Sequence, residues 1–267
     1  MTSRRSFVKT TILTGAAAVA ASTLPHSAFA TELNDDLSEF YELRVYLLKD
    51  DKQQALVEDY LSKAAIPALN RLGIKNIGVF TELKPTGQTK IYVLVPFSNL
   101  DDFVKMTNKL DANPVYQEKG AAYLNAPATE PAYERIESSL LKAFAHTPKM
   151  AVPQKKPRIF ELRQYQSASE SAGKKKIEMF NDEGEINIFK RLGFNRVFFA
   201  ETLIGELRPN LTYMVTFDDM AAHDSHWKAF GGDPEWKKIS SVPGYEDAKL
   251  VSKITSTFIT PTPSTLH

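Results

Sequence analysis

Phe160-Glu161-Leu162-Arg163-Gln164-Tyr165 restates Tyr41-Glu42-Leu43-Arg44-Val45-Tyr46 across an offset of 119 residues. Two further matches follow in the same order. Arg71-Leu72-Gly73 returns as Arg191-Leu192-Gly193, and Asn113-Pro114-Val115-Tyr116 is answered by Asp233-Pro234-Glu235-Trp236, both at 120. A period of that length is too long for a solenoid unit and suits a whole small domain. The chain reads as one domain written twice.

Working outward from the first strand, apolar residues alternate at Tyr41, Leu43, Val45 and Leu47, while Phe40, Glu42, Arg44 and Tyr46 share the other face. A helix opens at Asp50-Asp51 and stops at Gly73, with a kink or restart expected at Pro67. Residues 74–83 and 90–97 read as strands joined by a turn at Pro85-Thr86-Gly87. Asn99 caps a second helix. A short helical piece follows the Asn113-Pro114 break, and residues 133–144 supply a last strand. The second half runs the same programme from 159 to 260. Each unit is βαββαβ, the split βαβ or ferredoxin-like pattern. One such unit leaves a sheet face bare, and its copy is the obvious cover. The expected fold class is α+β: two tandem ferredoxin-like repeats packed sheet to sheet as a pseudo-twofold α+β barrel.

The expected domains are a repeat at 40–145, a linker at 146–158, a second repeat at 159–260 and a tail at 261–267. Residues 1–30 read as an export signal, followed by a polar leader at 31–39. Arg4-Arg5 sits in S-R-R-S-F-V-K, a weakly apolar run follows, and Ala28-Phe29-Ala30 offers a cleavage site. The expected location is periplasmic or secreted, without a stable membrane anchor, because the run is shorter than the ~20 apolar residues of a spanning helix. The chain has no cysteine and a formal charge of +1. That excludes disulfides, thiolate ligands and a cysteine nucleophile, and removes any electrostatic reason to seek nucleic acid.

The order E-L-R-x-Y, a helix ending R-L-G, and H-x-x-x-W-x-x-F-x-x-D-P-x-W resembles the NIPSNAP domain. The second repeat carries it best, through Glu161, Arg163, Tyr165, Arg191-Leu192-Gly193, Trp227, Phe230, Asp233, Pro234 and Trp236. The first repeat is a degenerate copy, with Phe103 and Met106 where His223 and His226 stand. The resemblance implies a dimeric α+β barrel, a fold shared with small monooxygenases, haem-degrading enzymes and chlorite-dismutase-like proteins. It implies no settled activity.

The polar face of each E-L-R strand is expected to point between the sheets. Two structural Glu–Arg pairs are one reading. The sharper one makes Glu161, Arg163 and Tyr165 catalytic: Arg163 holding an anionic oxygen, Tyr165 donating a proton, Glu161 fixing Arg163. Glu183 joins them as a general base, beside Gly184, whose place in a helix suggests close packing. Arg44, Tyr46, Trp227 and Trp236 are the expected ligand-binding residues. His223 and His226 are weak metal candidates, with at least one expected to face solvent. No cofactor is expected, with haem the minor alternative. Lys174-Lys175-Lys176 reads as a solvated helix face. Nucleotide-loop, serine-hydrolase and zincin motifs are absent. The expected function is an exported protein binding a small organic ligand between its sheets. Alternatives are a cofactor-free or haem-dependent oxygenase or isomerase, and a non-catalytic interaction domain. A homo-oligomer is compatible with the pattern.

Overall fold

The computed structural model describes residues 37–263. The export-signal reading and the cleavage site after Ala30 lie outside them. Among the described residues no helix is long and apolar enough to cross a membrane.

The first repeat runs β1 (Phe40–Leu48), α1 (Asp51–Tyr60), α2 (Ile66–Arg71), β2 (Gly78–Glu82), β3 (Thr89–Phe97), α3 (Leu100–Asp111), α4 (Pro114–Leu124) and β4 (Arg135–Ala143). The second runs β5 (Ile159–Ser167), α5 (Glu170–Asn181), α6 (Glu185–Arg191), β6 (Asn195–Ile204), β7 (Asn210–Phe217), α7 (Met220–Gly232), α8 (Pro234–Ser240), the single turn α9 (Asp247–Leu250) and β8 (Val251–Pro261). Residues 144–158 between them contain no helix or strand. The eight strands close into one antiparallel barrel in the order β1-β3-β2-β8-β5-β7-β6-β4. The E-L-R strands occupy equivalent places: β1 lies between β3 and β4, and β5 between β7 and β8. Closure leaves no bare sheet edge, because β2 pairs with β8 and β4 with β6.

The repeated motifs are largely helix punctuation. Gly73 and Gly193 both sit at φ +87°, a left-handed conformation that glycine adopts without strain. Each closes a Schellman motif: Ile74 N–H donates to Leu69 O at 3.0 Å, and Phe194 N–H to Phe189 O at 3.0 Å. Asn113 caps α4 by accepting from Tyr116 N–H at 3.1 Å. Asp233 caps α8 by accepting from Glu235 and Trp236 N–H. Arg191 forks that same Asp233 at 2.9 and 3.1 Å, so R-L-G and D-P-x-W are tied together in the second repeat. Arg191 also holds the Asp233 carboxyl below its ordinary range, chiefly by this hydrogen bonding.

The expected long helix of the second repeat is broken. Gly184 stands between α5 and α6 at φ +97°, and an added Cβ there meets only Asn187 Nδ2, at 4.0 Å. Backbone conformation, not close packing, is why glycine stands here. The first repeat solves the same problem without a break: a π-helical turn at Leu61–Ala65 leads into α2, with Pro67 in its first turn. Gly184→Ala is therefore expected to lower stability by about 1 kcal/mol, or roughly 2–4 °C in melting temperature. Gly232→Ala, where nothing lies within 4 Å and φ is not positive, is the control.

Three main apolar cores result. One lies between the first sheet and its helices, around Tyr60, Ile66 and Tyr116. Its counterpart in the second repeat holds Phe180, Phe189, Phe199 and Phe230. The third fills the barrel and draws on both repeats, with Tyr41 against Phe198 and Phe80 against Phe160, ring centroids 5.1 and 5.0 Å apart.

Candidate functional site

The polar faces of the E-L-R strands point away from the space between the sheets. Tyr41, Leu43 and Val45 enter the barrel core beside Phe160 and Leu162. Glu42, Arg44 and Tyr46, and their counterparts Glu161, Arg163 and Tyr165, face the helices. This reverses the expected orientation, and the reason is solvation. The middle of the barrel is packed with apolar side chains and offers a charge no partner. The helical layer lets a long side chain reach its rim, and Arg44 and Arg163 keep 21% and 15% of their side chains exposed.

In the second repeat Glu161 is fully buried and serves as a hub. Its Oε1 accepts from Arg163 Nη1 at 2.7 Å and from Ser256 Oγ at 2.6 Å; its Oε2 accepts from Trp227 Nε1 at 3.0 Å. Arg163 lies over the Trp227 ring, 4.2 Å from its centroid, and donates from Nη2 to Tyr165 Oη at 3.3 Å. Tyr165 in turn shares a hydrogen bond with Tyr213 at 3.1 Å. Burial pushes the Tyr165 phenol above its ordinary value. The predicted trio is therefore brought together, with Trp227 beside it, but both Glu161 oxygens are already engaged. A substrate approaching Arg163 along its stacked face would have to displace Trp227, which packs edge-on against Phe189 and Phe194.

The first repeat keeps the frame and loses the tryptophan over the arginine. Arg44 Nε donates to Glu42 Oε1 at 2.6 Å, and Ser138 Oγ donates to the same oxygen at 2.6 Å. Met106 Sδ stands 4.0 Å from Arg44 Nη2. Tyr46 accepts from Tyr123 at 3.3 Å. Ser138 and Ser256 lie directly across from Arg44 and Arg163 in strand register. These serines were missed because they sit in the weakly patterned last strands, and only pairing reveals them. Arg44 and Tyr46 belong to the first repeat's own helical layer and do not join the second cluster.

Glu183 is exposed at the helix break, where it accepts from Tyr245 Oη at 3.4 Å, away from Arg163's hydrogen-bonding groups. Trp236 packs on Phe230 at 4.6 Å between ring centroids. Both histidines turn inward, against the expectation that one faces solvent. His223 lies against Phe217 and Phe258, and its Nε2 stands 3.4 Å from Glu161 Oε2. His226 packs on Phe194 and against Gly193. A helix over a strongly aromatic sheet buries more than one stripe. Among the described residues no group of three His, Asp or Glu side chains converges as a metal site.

Lys176 is the largest departure from the sequence reading. It is fully buried, with Nζ 3.2 Å from Glu185 Oε2 and 3.0 Å from Asp247 Oδ1, among the rings of Tyr165, Phe180 and Trp236. Burial pushes the Glu185 carboxyl up to about 7, with Lys176 opposing. The available signal was helical phase: Ala172, Lys176, Met179 and Phe180 share the inward face of α5.

One open space lies at one end of the barrel. A cavity of about 550 Å³ is walled by barrel-core residues of both repeats, Phe80 and Leu94 from the first and Phe160 and Val197 from the second. The connecting segment crosses it from Met150 to Arg158, and Thr260–Pro263 close its side. A smaller space of about 250 Å³, lined by Leu43, Leu162, Glu137, Gln164 and Thr255, opens among the strands elsewhere.

The NIPSNAP family model matches residues 41–148 and again 160–265. No curated protein matches the chain. Solved structures with a similar fold include a "putative monooxygenase" from Fusobacterium nucleatum, 11% identical over 84% of this chain and 93% of that one, TM-score 0.56. A protein of the same description from Lactobacillus acidophilus is 9% identical over 84% and 94%, TM-score 0.54. An anthrone oxidase-like protein is 11% identical over 85% and 93%, TM-score 0.51. At these identities the likeness is one of fold. The two family matches cover both halves of the barrel, and the chain belongs to the NIPSNAP family.

Proposed function

We propose that the protein binds a small, largely apolar organic molecule in the cavity at the barrel end. The observation carrying this reading is a concave space of about 550 Å³ walled by Phe80, Leu94, Phe160 and Val197. Ligand sites are commonly apolar clefts of roughly 300–1,000 Å³ with few polar groups, and barrel mouths are among their usual places. The two repeats contribute to its walls together. The connecting segment, stiffened by Pro153 and Pro157, covers the opening. On this reading the small organic ligand expected between the two sheets sits at the end of the barrel they form. The proposed compartment is the periplasm or cell exterior, supported by Arg4-Arg5, the weakly apolar run after them and Ala28-Phe29-Ala30.

The test is fluorescence titration of the whole protein with N-phenyl-1-naphthylamine, a neutral apolar probe. Saturable binding is expected. Ala151→Phe and Val197→Phe, each filling the cavity from a different wall, are expected to weaken it by at least about tenfold without lowering the melting temperature in step. Unchanged affinity in both well-folded variants would remove the barrel end as the site.

A further inference from the structure

Resting on the cavity reading above, we propose that the ligand is an amphipathic anion, its apolar body between Phe80, Leu94, Phe160 and Val197 and its carboxylate head at Arg158.

The cavity lining is charged with one sign only. Lys155, Lys156 and Arg158 border it, and no aspartate or glutamate does. Lys156 is answered from outside by Asp218, at 2.6 Å. Arg158 is not. Its Nη1 donates to Thr216 Oγ1 at 3.1 Å and its Nη2 to the Gln154 carbonyl at 2.7 Å, both neutral acceptors. Its Nε is buried without a hydrogen-bond partner. Among the described residues no carboxylate lies within ion-pair distance of Arg158 or Lys155. Arg44 and Arg163 are treated differently: each has a glutamate at 2.6 or 2.7 Å.

A half-buried guanidinium with one unpaired N–H and no carboxylate in direct ion-pair contact, Asp218 acting on it only from a distance, is costly to maintain for packing alone. The two hydrogen bonds that Arg158 does make hold its fork in place across the segment that covers the cavity. A carboxylate reaching that fork would form charge-assisted bonds with the hydrogens of Nη1 and Nη2 that Thr216 and Gln154 leave free. The adjoining walls are apolar, so the rest of such a molecule must be apolar too. Medium-chain or aromatic carboxylates have this division of character; sugars, free amino acids and cationic amines do not.

The experiment is competition against N-phenyl-1-naphthylamine at pH 8 with decanoate, decanol and decylamine, on wild type, Arg158→Gln and Arg158→Lys. In wild type, decanoate is expected to compete at least about tenfold better than decanol, and decylamine worst. Arg158→Gln should abolish the preference for decanoate while decanol competes as before. Arg158→Lys, which keeps the charge, should retain part of it and guards against misreading a folding defect. Equal competition by decanoate and decanol in wild type would overturn the anion assignment while leaving the cavity as a site. A preference that survives Arg158→Gln would overturn the role of Arg158. Failure of the neutral probe to bind at all would overturn the cavity reading itself, and this one with it.

Discussion

Lys176→Met should destabilise the protein by about 3–5 kcal/mol, the cost of stranding one partner of a buried ion pair. The comparison that makes this informative is built into the chain. At the 119-residue offset, Lys176 and Glu185 correspond to Val57 and Ile66, which are as deeply buried. The second repeat thus holds an ammonium and a carboxylate where the first holds two hydrocarbons. Combining Lys176→Val with Glu185→Ile should recover most of the loss, because a well-packed apolar pair of similar volume often equals or exceeds a buried ion pair. Asp247, released by the change, is half exposed and returns to water.

The same pair has a pH signature. The Glu185 carboxyl is held up at about 7, above its ordinary 4.5, by burial. Between those values the folded protein binds a proton that the unfolded chain has lost. Its contribution to stability is present below about 4.5 and disappears as pH rises through 7. Relative to Glu185→Gln, wild type should therefore lose stability from pH 5 to pH 7.5, and Lys176→Met should suffer less at the lower pH, where Glu185 can neutralise. Urea unfolding at both pH values measures these effects. A single mutant within 1 kcal/mol of wild type at both would mean that water reaches the pair.

The second large effect belongs to Glu161. Glu161→Ala strips the acceptor from Arg163, Ser256 and Trp227 at once, and about 3–5 kcal/mol of stability should go with it. Glu42→Ala should cost less, since Glu42 accepts only from Arg44 and Ser138 and Arg44 is the more exposed arginine. Arg163→Ala should follow Glu161→Ala in melting temperature while leaving probe affinity at the barrel end unchanged. That outcome would make the E-L-R residues a frame for the sheet–helix layer. A loss of probe affinity beyond the loss of stability would instead restore Arg163 as a ligand-contacting residue.

Much of the fold was legible because it rests on local chemistry. Asn99 caps its helix as its type requires, and Gly73 and Gly193 end theirs by the one conformation that favours glycine. Repetition then supplied what one unit cannot show, since a bare sheet face and its copy at an offset of 119 to 120 residues imply each other. The positions of Glu161 and Arg163 on one strand face were equally plain from their spacing of two.

Which way that face turned was not. In a strand with apolar residues on one side and Glu, Arg and Tyr on the other, either side can meet a helix. The choice depends on where a charge can still reach solvent or a partner, and the apolar filling of the closed barrel decides that. Lys176 escaped notice for a related reason: its burial is made tolerable by Glu185 nine residues away and Asp247 across a separate turn, partners no local pattern connects. The cavity was also invisible, because it belongs to no element. Its walls come from strands of both repeats and a segment that reads as a linker. Thus the sequence by itself determined the repeat, its elements and the polar strand faces, all properties of neighbours along the chain. Tertiary structure alone decided which face is dry, which charges are paired and where space is left, because each depends on what the rest of the molecule places opposite.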